Sequence, residues 1–243
     1  MTDFKEVLMS INKLCFNLDY RAAEALLPEL GGSAQDTYQH RIFHSFEYRV
    51  YAAMARQLEK GLYQRYNRMQ SEFRFIVQKE SPFAMLMQDT YTLPYLIKDE
   101  IFEEGILVFQ EEASSVLGYY DLCHTAVWNL DMYRIDNTPD MMKVSTLYQH
   151  GFLVHALGDH GKATGMFSEA RSLFEERVAD EANLGTLMYT QGAIMFQDLK
   201  HPLAKEWLDK AQETIKSATE PAVRKVCSQQ LDEVKAKYIS MNN

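Results

Sequence analysis

Gly151, Val154, Ala163, Phe167 and Ala170 recur 41 residues later as Gly192, Met195, Ala204, Leu208 and Ala211. A pattern that repeats at such an interval marks stacked supersecondary units, each burying its apolar face against the next. Here the pattern is a glycine, a large apolar residue at +3, an alanine at +12, a large apolar residue at +16 and an alanine at +19. The small residues at the first and third positions let two helices of a hairpin approach closely. The large residue at +16 fills the space between hairpins, and the last alanine sits where the next helix crosses.

The rest of the chain also carries helical periodicity. Its 243 residues include only 11 Gly and 6 Pro, which favours long helices over many short strands. Leu8, Ile11, Cys15 and Leu18 make one stripe. Ala22, Ala25, Leu26 and Leu30 make the next, stopped by Gly31-Gly32. Residues 36–79 read as two long helices broken near Gly61, and Ser81 as the N-cap of a short helix before a second break at Thr92-Leu93-Pro94. Residues 98–118 predict a helix ended near Gly118, with 120–135 as its partner. A loop at Asp136–Asp140 precedes five further helical segments, and no strand is expected. The last segment has Val223, Cys227, Leu231, Val234 and Tyr238 on one face and Lys225, Asp232, Glu233 and Lys235 elsewhere. That is the composition of a solvating cap, which a stack of repeats requires.

The 41-residue pattern resembles the tetratricopeptide repeat (TPR), residue by residue over about 141–216. The TPR period is about 34. The seven additional residues fall at Arg171–Arg177, about two helical turns, and a longer second helix absorbs them. Leu147 and Met188 stand where the family carries an aromatic residue early in the first helix. A weaker copy sets Ser114, Leu117, Ala126 and Leu130 against Gly151, Val154, Ala163 and Phe167. Residues 4–30 read as a degenerate one with Ala23 in the small position. The expected fold is therefore an all-α, TPR-like array of antiparallel helical hairpins with a C-terminal capping helix. It forms a single domain over 1–243, with an irregular helical half at 1–97, hairpins at 98–216 and the cap at 219–240.

In this family the first helix of each hairpin lines a concave groove. The resemblance carries groove positions to Tyr148, Gln149, Phe152 and His155, and to Tyr189, Thr190, Ala193, Phe196 and Gln197. That surface is aromatic and uncharged-polar, suited to an apolar or mixed peptide segment. The carboxylate clamp of chaperone-binding members needs Lys and Asn where this chain has Tyr148 and Phe152, so that partner is disfavoured. In size, helix length and cap the chain is also similar to the TPR sensor domains of bacterial peptide-pheromone regulators. The helix-turn-helix that such regulators often carry is not visible in the first 60 residues.

Little else in the sequence carries chemistry. No P-loop, Gly-x-Gly-x-x-Gly or Gly-x-Ser-x-Gly motif occurs. His40 and His44 share a helix face, but neither they nor His150 and His155 bring a third ligand at fixed spacing. Glu100, Glu103, Glu104, Glu111 and Glu112 lack the Glu-x-x-His partners of a di-iron bundle and read as a solvated face. Cys15, Cys123 and Cys227 are widely spaced and read as thiols in a reducing compartment. Cys123-His124 cannot be a nucleophile pair by themselves, because adjacent helical residues point about 100° apart. No metal or cofactor is expected.

Net charge is −9, which argues against generic nucleic-acid coating. Residues 41–79 run the other way. Arg41, Arg49, Arg56, Lys60, Arg65, Arg68, Arg74 and Lys79 outnumber Glu47, Glu59 and Glu72, and aromatics interleave with them. One reading is a nucleic-acid or acidic-partner surface. The favoured one turns the aromatics inward and solvates the arginines or pairs them with the acidic 99–112 stretch. No apolar run is long enough to span a bilayer, and Met1–Glu6 does not begin a secretory leader. The expected function is a non-enzymatic cytoplasmic adaptor or sensor that holds a peptide or protein segment in its groove, with oligomeric state left open, a homodimer included. The alternatives are a nucleic-acid-associated regulator using 41–79 and a helical enzyme without a recognisable motif.

Overall fold

Aspartates open the first two helices. Asp3 accepts the Lys5 N–H at 3.1 Å and caps α1 (Phe4–Phe16); Asp19 accepts the Ala22 N–H at 3.2 Å and caps α2 (Tyr20–Ser33). The computed structural model describes residues 3–72 and 100–242. Its other helices are α3 (Thr37–Glu72), α4 (Glu100–Asp131), α5 (Thr138–Ala156), α6 (His160–Arg177), α7 (Ala182–Asp198), α8 (Ala204–Ser217) and α9 (Pro221–Asn242). Every regular element among the described residues is helical, and the chain is all-α. No described helix is long and apolar enough to cross a membrane. The expected short helix at Ser81 and the break at Thr92-Leu93-Pro94 lie outside the described residues.

Two expected breaks do not occur. Gly61 lies inside the 36 residues of α3 and Gly118 inside the 32 residues of α4. Glycine ends a helix when it takes the left-handed conformation, and neither of these does. The cost of an interior glycine, about 1 kcal/mol, is outweighed by packing on both sides, where Leu62, Val116 and Tyr120 are buried. The copy placed on Ser114, Leu117, Ala126 and Leu130 is thereby overturned. All four positions lie on one uninterrupted helix, so no hairpin forms there.

The chain divides into two units, Met1–Pro139 and Asp140–Asn243. In the first, α3 and α4 run antiparallel. His40 stacks on Tyr133, Glu59 accepts from Tyr120, and Arg65 grips Glu112, in reversed order along the two helices. The hairpin of α1 and α2 packs on the early part of α3, where Phe4, Val7, Ile11, Cys15, Ala23, Leu27 and Leu30 close over Val50 and Met54.

In the second unit, Gly151 lets α6 approach α5. A Cβ there would lie 3.2 Å from Met166 Cβ and from the Phe167 ring. Gly192 has the same role forty-one residues on, where a Cβ would lie 2.1 Å from the Trp207 ring. Trp207 and Met166 occupy the same place in the repeat. Ala163, Phe167, Ala170, Ala204, Leu208 and Ala211 are all buried, and α6 runs through Arg177, absorbing the seven additional residues as helix.

Three turns share one hydrogen-bond pattern. Leu18, Gly158 and Lys200 each take positive φ, at 61°, 95° and 51°. Each donates its N–H to the carbonyl three residues back: Leu18 to Cys15, Gly158 to His155 and Lys200 to Gln197. The following residue donates five back: Asp19 to Leu14, Asp159 to Val154 and His201 to Phe196. This is the Schellman ending of a helix. It joins α1 to α2, α5 to α6 and α7 to α8. The first two turns match over their flanks at an offset of 140: α1 and α5 end at Phe16 and Ala156, and α2 and α6 start at Tyr20 and His160 behind Asp19 and Asp159. Residues 4–30 thus share the turn of the later hairpins, with a large Ile11 where Gly151 stands.

Candidate binding surface

The expected groove residues separate into two groups. On α5, Gln149, Phe152 and His155 are half-buried at the surface, and Tyr148 is buried. Gln149 Nε2 donates to Ser145 Oγ at 2.7 Å, and the Phe152 and His155 rings lie 6.2 Å apart. On α7, Tyr189, Thr190, Ala193, Phe196 and Gln197 are all interior, none more than 5% exposed. The second group is therefore no open surface. Phe196 packs 5.2 Å from Trp207 and 6.5 Å from Phe167. Tyr189 packs edge-on against Phe174 and donates its hydroxyl to Glu175 at 2.8 Å.

Two sides of α7 are covered: Tyr189 and Phe196 face α6 and α8, and Thr190 faces α9. Asn183 at the start of α7 accepts the N–H groups of Thr219 and Glu220, Cys227 lies beside Thr190, and Lys237 reaches Asp198 at 3.7 Å. These pairs ascend together, so α9 lies parallel to α7, in the place of a following repeat's first helix. Neighbouring helices thus occupy the α7 positions that the alignment assigned to a ligand.

Trp207, which the repeat pattern overlooked, centres this core. It is 1% exposed, 5.7 Å from Phe167, 5.2 Å from Tyr189 and under the Arg171 guanidinium. Arg171 also reaches Glu175 at 3.0 Å and Glu206 at 2.6 Å. The signal was available: Trp207 follows Gly192 by the interval at which Met166 follows Gly151.

Around His155 the surface is polar. Its Nδ1 lies 3.1 Å from His160 Nδ1, and its Nε2 lies 3.9 Å from Asp198 Oδ2. Burial, together with the neighbouring His155, lowers the His160 pKa from its ordinary value. His40 and His44 do share a face, as their spacing implies. Their rings stack on Tyr133, and His44 Nδ1 contacts Glu47 at 2.6 Å. Among the described residues no group of three or more His, Cys, Asp or Glu is arranged around a common ion.

The basic segment uses its charges within its own unit. Arg65 makes two hydrogen bonds to Glu112, Arg41 pairs with Asp136 at 2.7 Å, and Arg49 lies over Phe46. Tyr51 turns inward onto Tyr119, whose hydroxyl donates to Glu24. The side chains of Arg68, Arg74 and Lys79 lie outside the described residues. Trp128 on α4 and Met132 and Ile135 just beyond its end are exposed apolar side chains.

Glu59 is a largely enclosed carboxylate of the first unit. Burial raises its pKa above the ordinary 4.5, against the hydrogen bond from Tyr120, the Arg56 charge and the nearby Tyr63 hydroxyl. A raised folded pKa means that the ionised form destabilises the fold at neutral pH, and protonation relieves this as pH falls through that pKa. Glu59→Gln is expected to raise the melting temperature at pH 7. It should also remove a gain in stability on mild acidification that the parent chain shows, both read by calorimetry across pH 4–8. The thiols are inert: all three are buried, and burial pushes Cys123 up to about 12 despite Arg56.

Comparison with family models, with curated proteins and with solved structures finds no match to this chain.

Proposed function

We propose that this chain is a non-enzymatic, cytoplasmic adaptor or sensor of TPR-like build that binds a peptide or protein segment. The observation that carries the reading is the half-buried, uncharged face of Gln149, Phe152 and His155, on the first helix of a hairpin whose close contacts recur 41 residues later. An aromatic ring, an amide and an imidazole side by side suit an extended segment: the ring holds an apolar side chain, and the amide pairs with its backbone. The binding face is that of α5; the α7 positions support it from inside. The pairing of Arg41 and Arg65 with carboxylates weakens the nucleic-acid reading.

The test is selection of a random peptide library on the immobilised chain, followed by titration of the enriched peptides. Phe152→Ala is expected to weaken binding by at least ~10-fold, about 1.4 kcal/mol, with an unchanged circular-dichroism spectrum. Absence of enrichment, or enriched peptides that bind folded Phe152→Ala as well as the parent, contradicts the reading.

A further inference from the structure

We propose that His155 and His160 form a two-imidazole site for a divalent metal ion of the zinc, nickel or copper class. This does not depend on the peptide-binding reading. The two Nδ1 atoms are 3.1 Å apart, with ring centroids at 5.0 Å and planes tilted by 48°. Two imidazole nitrogens bound to one zinc ion, each about 2.0–2.1 Å from it, sit about 2.8–3.4 Å from one another at right-angled to tetrahedral geometry. The observed separation falls in that range before any side chain moves.

The backbone holds the pair in place. His155 lies in the last turn of α5 and His160 is the first residue of α6. The intervening turn is fixed by Gly158 N–H donating to the His155 carbonyl at 2.9 Å and Asp159 N–H to that of Val154 at 3.1 Å. Five residues apart on a continuous helix, two side chains would point to different faces. The turn at Gly158 brings them together, which is why the sequence spacing did not pair them.

A third group orients one ring. Asp198, on α7, lies 3.9 Å from the far nitrogen of His155. A carboxylate there favours the tautomer with the proton on Nε2 and turns the Nδ1 lone pair toward His160. At 3.9 Å the contact is electrostatic, and a small closing movement would make it the carboxylate–histidine–metal arrangement that fixes ligands in many metal sites. Asp198 is therefore a positioning residue and not a ligand. Neither imidazole is fully enclosed: the His155 side chain keeps 12% of its surface exposed, and His160 is half-buried. Two imidazoles select against calcium and magnesium, which take oxygen ligands. With two protein ligands, the other positions belong to water, and the ion exchanges readily.

The experiment is calorimetric titration of the full chain with Zn2+ at near-neutral pH in chelator-free buffer. The parent is compared with His155→Asn, His160→Asn and, as a control at the other histidine pair, His40→Asn. One binding event is expected in the parent and in His40→Asn, weakened at least ~10-fold in each of the other two. Asp198→Asn is expected to weaken it by ~10-fold and to shift the His155 tautomer away from Nε2–H in nitrogen NMR spectra of the metal-free chain. Added Ni2+ should broaden the imidazole signals of His155 and His160 before those of the remaining histidines, a readout that needs no variant to fold. Absence of Zn2+ binding in the parent, equal binding by folded His155→Asn and His160→Asn, or broadening that begins at other histidines overturns the proposal.

Discussion

Trp207→Ala is expected to lower the stability of the C-terminal unit by about 3–5 kcal/mol, the range for removing a large aromatic side chain from a packed core. The indole is 1% exposed and lies against Phe167, Tyr189, Phe196 and Arg171, so three helices lose packing at once. Total stabilities of about 5–15 kcal/mol make this a large fraction, and the melting temperature should fall by more than ~10 °C. Trp207→Phe keeps an aromatic face there and should lose less than half as much. Denaturant unfolding of both variants checks the ordering. A Trp207→Ala chain that unfolds with the parent's midpoint would place Trp207 outside the core.

The second large effect is a change of sign between glycines. Alanine in place of an exposed helical glycine stabilises by up to about 1 kcal/mol. Gly118→Ala should show that gain, because a Cβ there meets nothing within 4 Å. Gly192→Ala should do the reverse. Its Cβ would lie 2.1 Å from a rigid, enclosed indole, which has to shift. Overpacking of this kind costs about 1–3 kcal/mol. With the ring at so short a distance, the upper part of that range applies, and the loss net of the propensity gain is about 2 kcal/mol. Equal effects in the two variants, measured by thermal unfolding, would mean that Gly192 does not mark a close helix approach.

The same contrast explains which parts of the fold were legible. Gly151, Gly192 and the buried alanines repeat at a fixed interval because geometry at a tight helix contact admits only small side chains. That constraint is written directly in residue type. Gly61 and Gly118 look the same in a sequence and were read as stops. What carries the helix through them is the burial of Leu62, Val116 and Tyr120 across an antiparallel pair, a long-range effect with no local mark. The candidate surface divides along the same line. The α5 positions Gln149, Phe152 and His155 were legible as a half-exposed face. The α7 positions were not, because Tyr189, Thr190 and Phe196 would show the same pattern whether a ligand or neighbouring helices covered them. Only the packing of Tyr189 and Phe196 on Trp207 and the placement of Thr190 beside Cys227 decide it. His155 and His160 were missed as a pair because their proximity comes from the positive φ of Gly158.

Two hairpins share one register, with Gly151 facing Phe167 and Gly192 facing Trp207. Proton NMR tests this most directly, since an α-proton held against an aromatic ring shows cross-relaxation to the ring protons and a ring-current shift. The expected result is cross-peaks from the Gly192 α-protons to the Trp207 indole and from the Gly151 α-protons to the Phe167 ring, with the Gly192 pair shifted strongly. Glycine α-protons at random-coil positions, with no cross-peak to either ring in the folded chain, would contradict it.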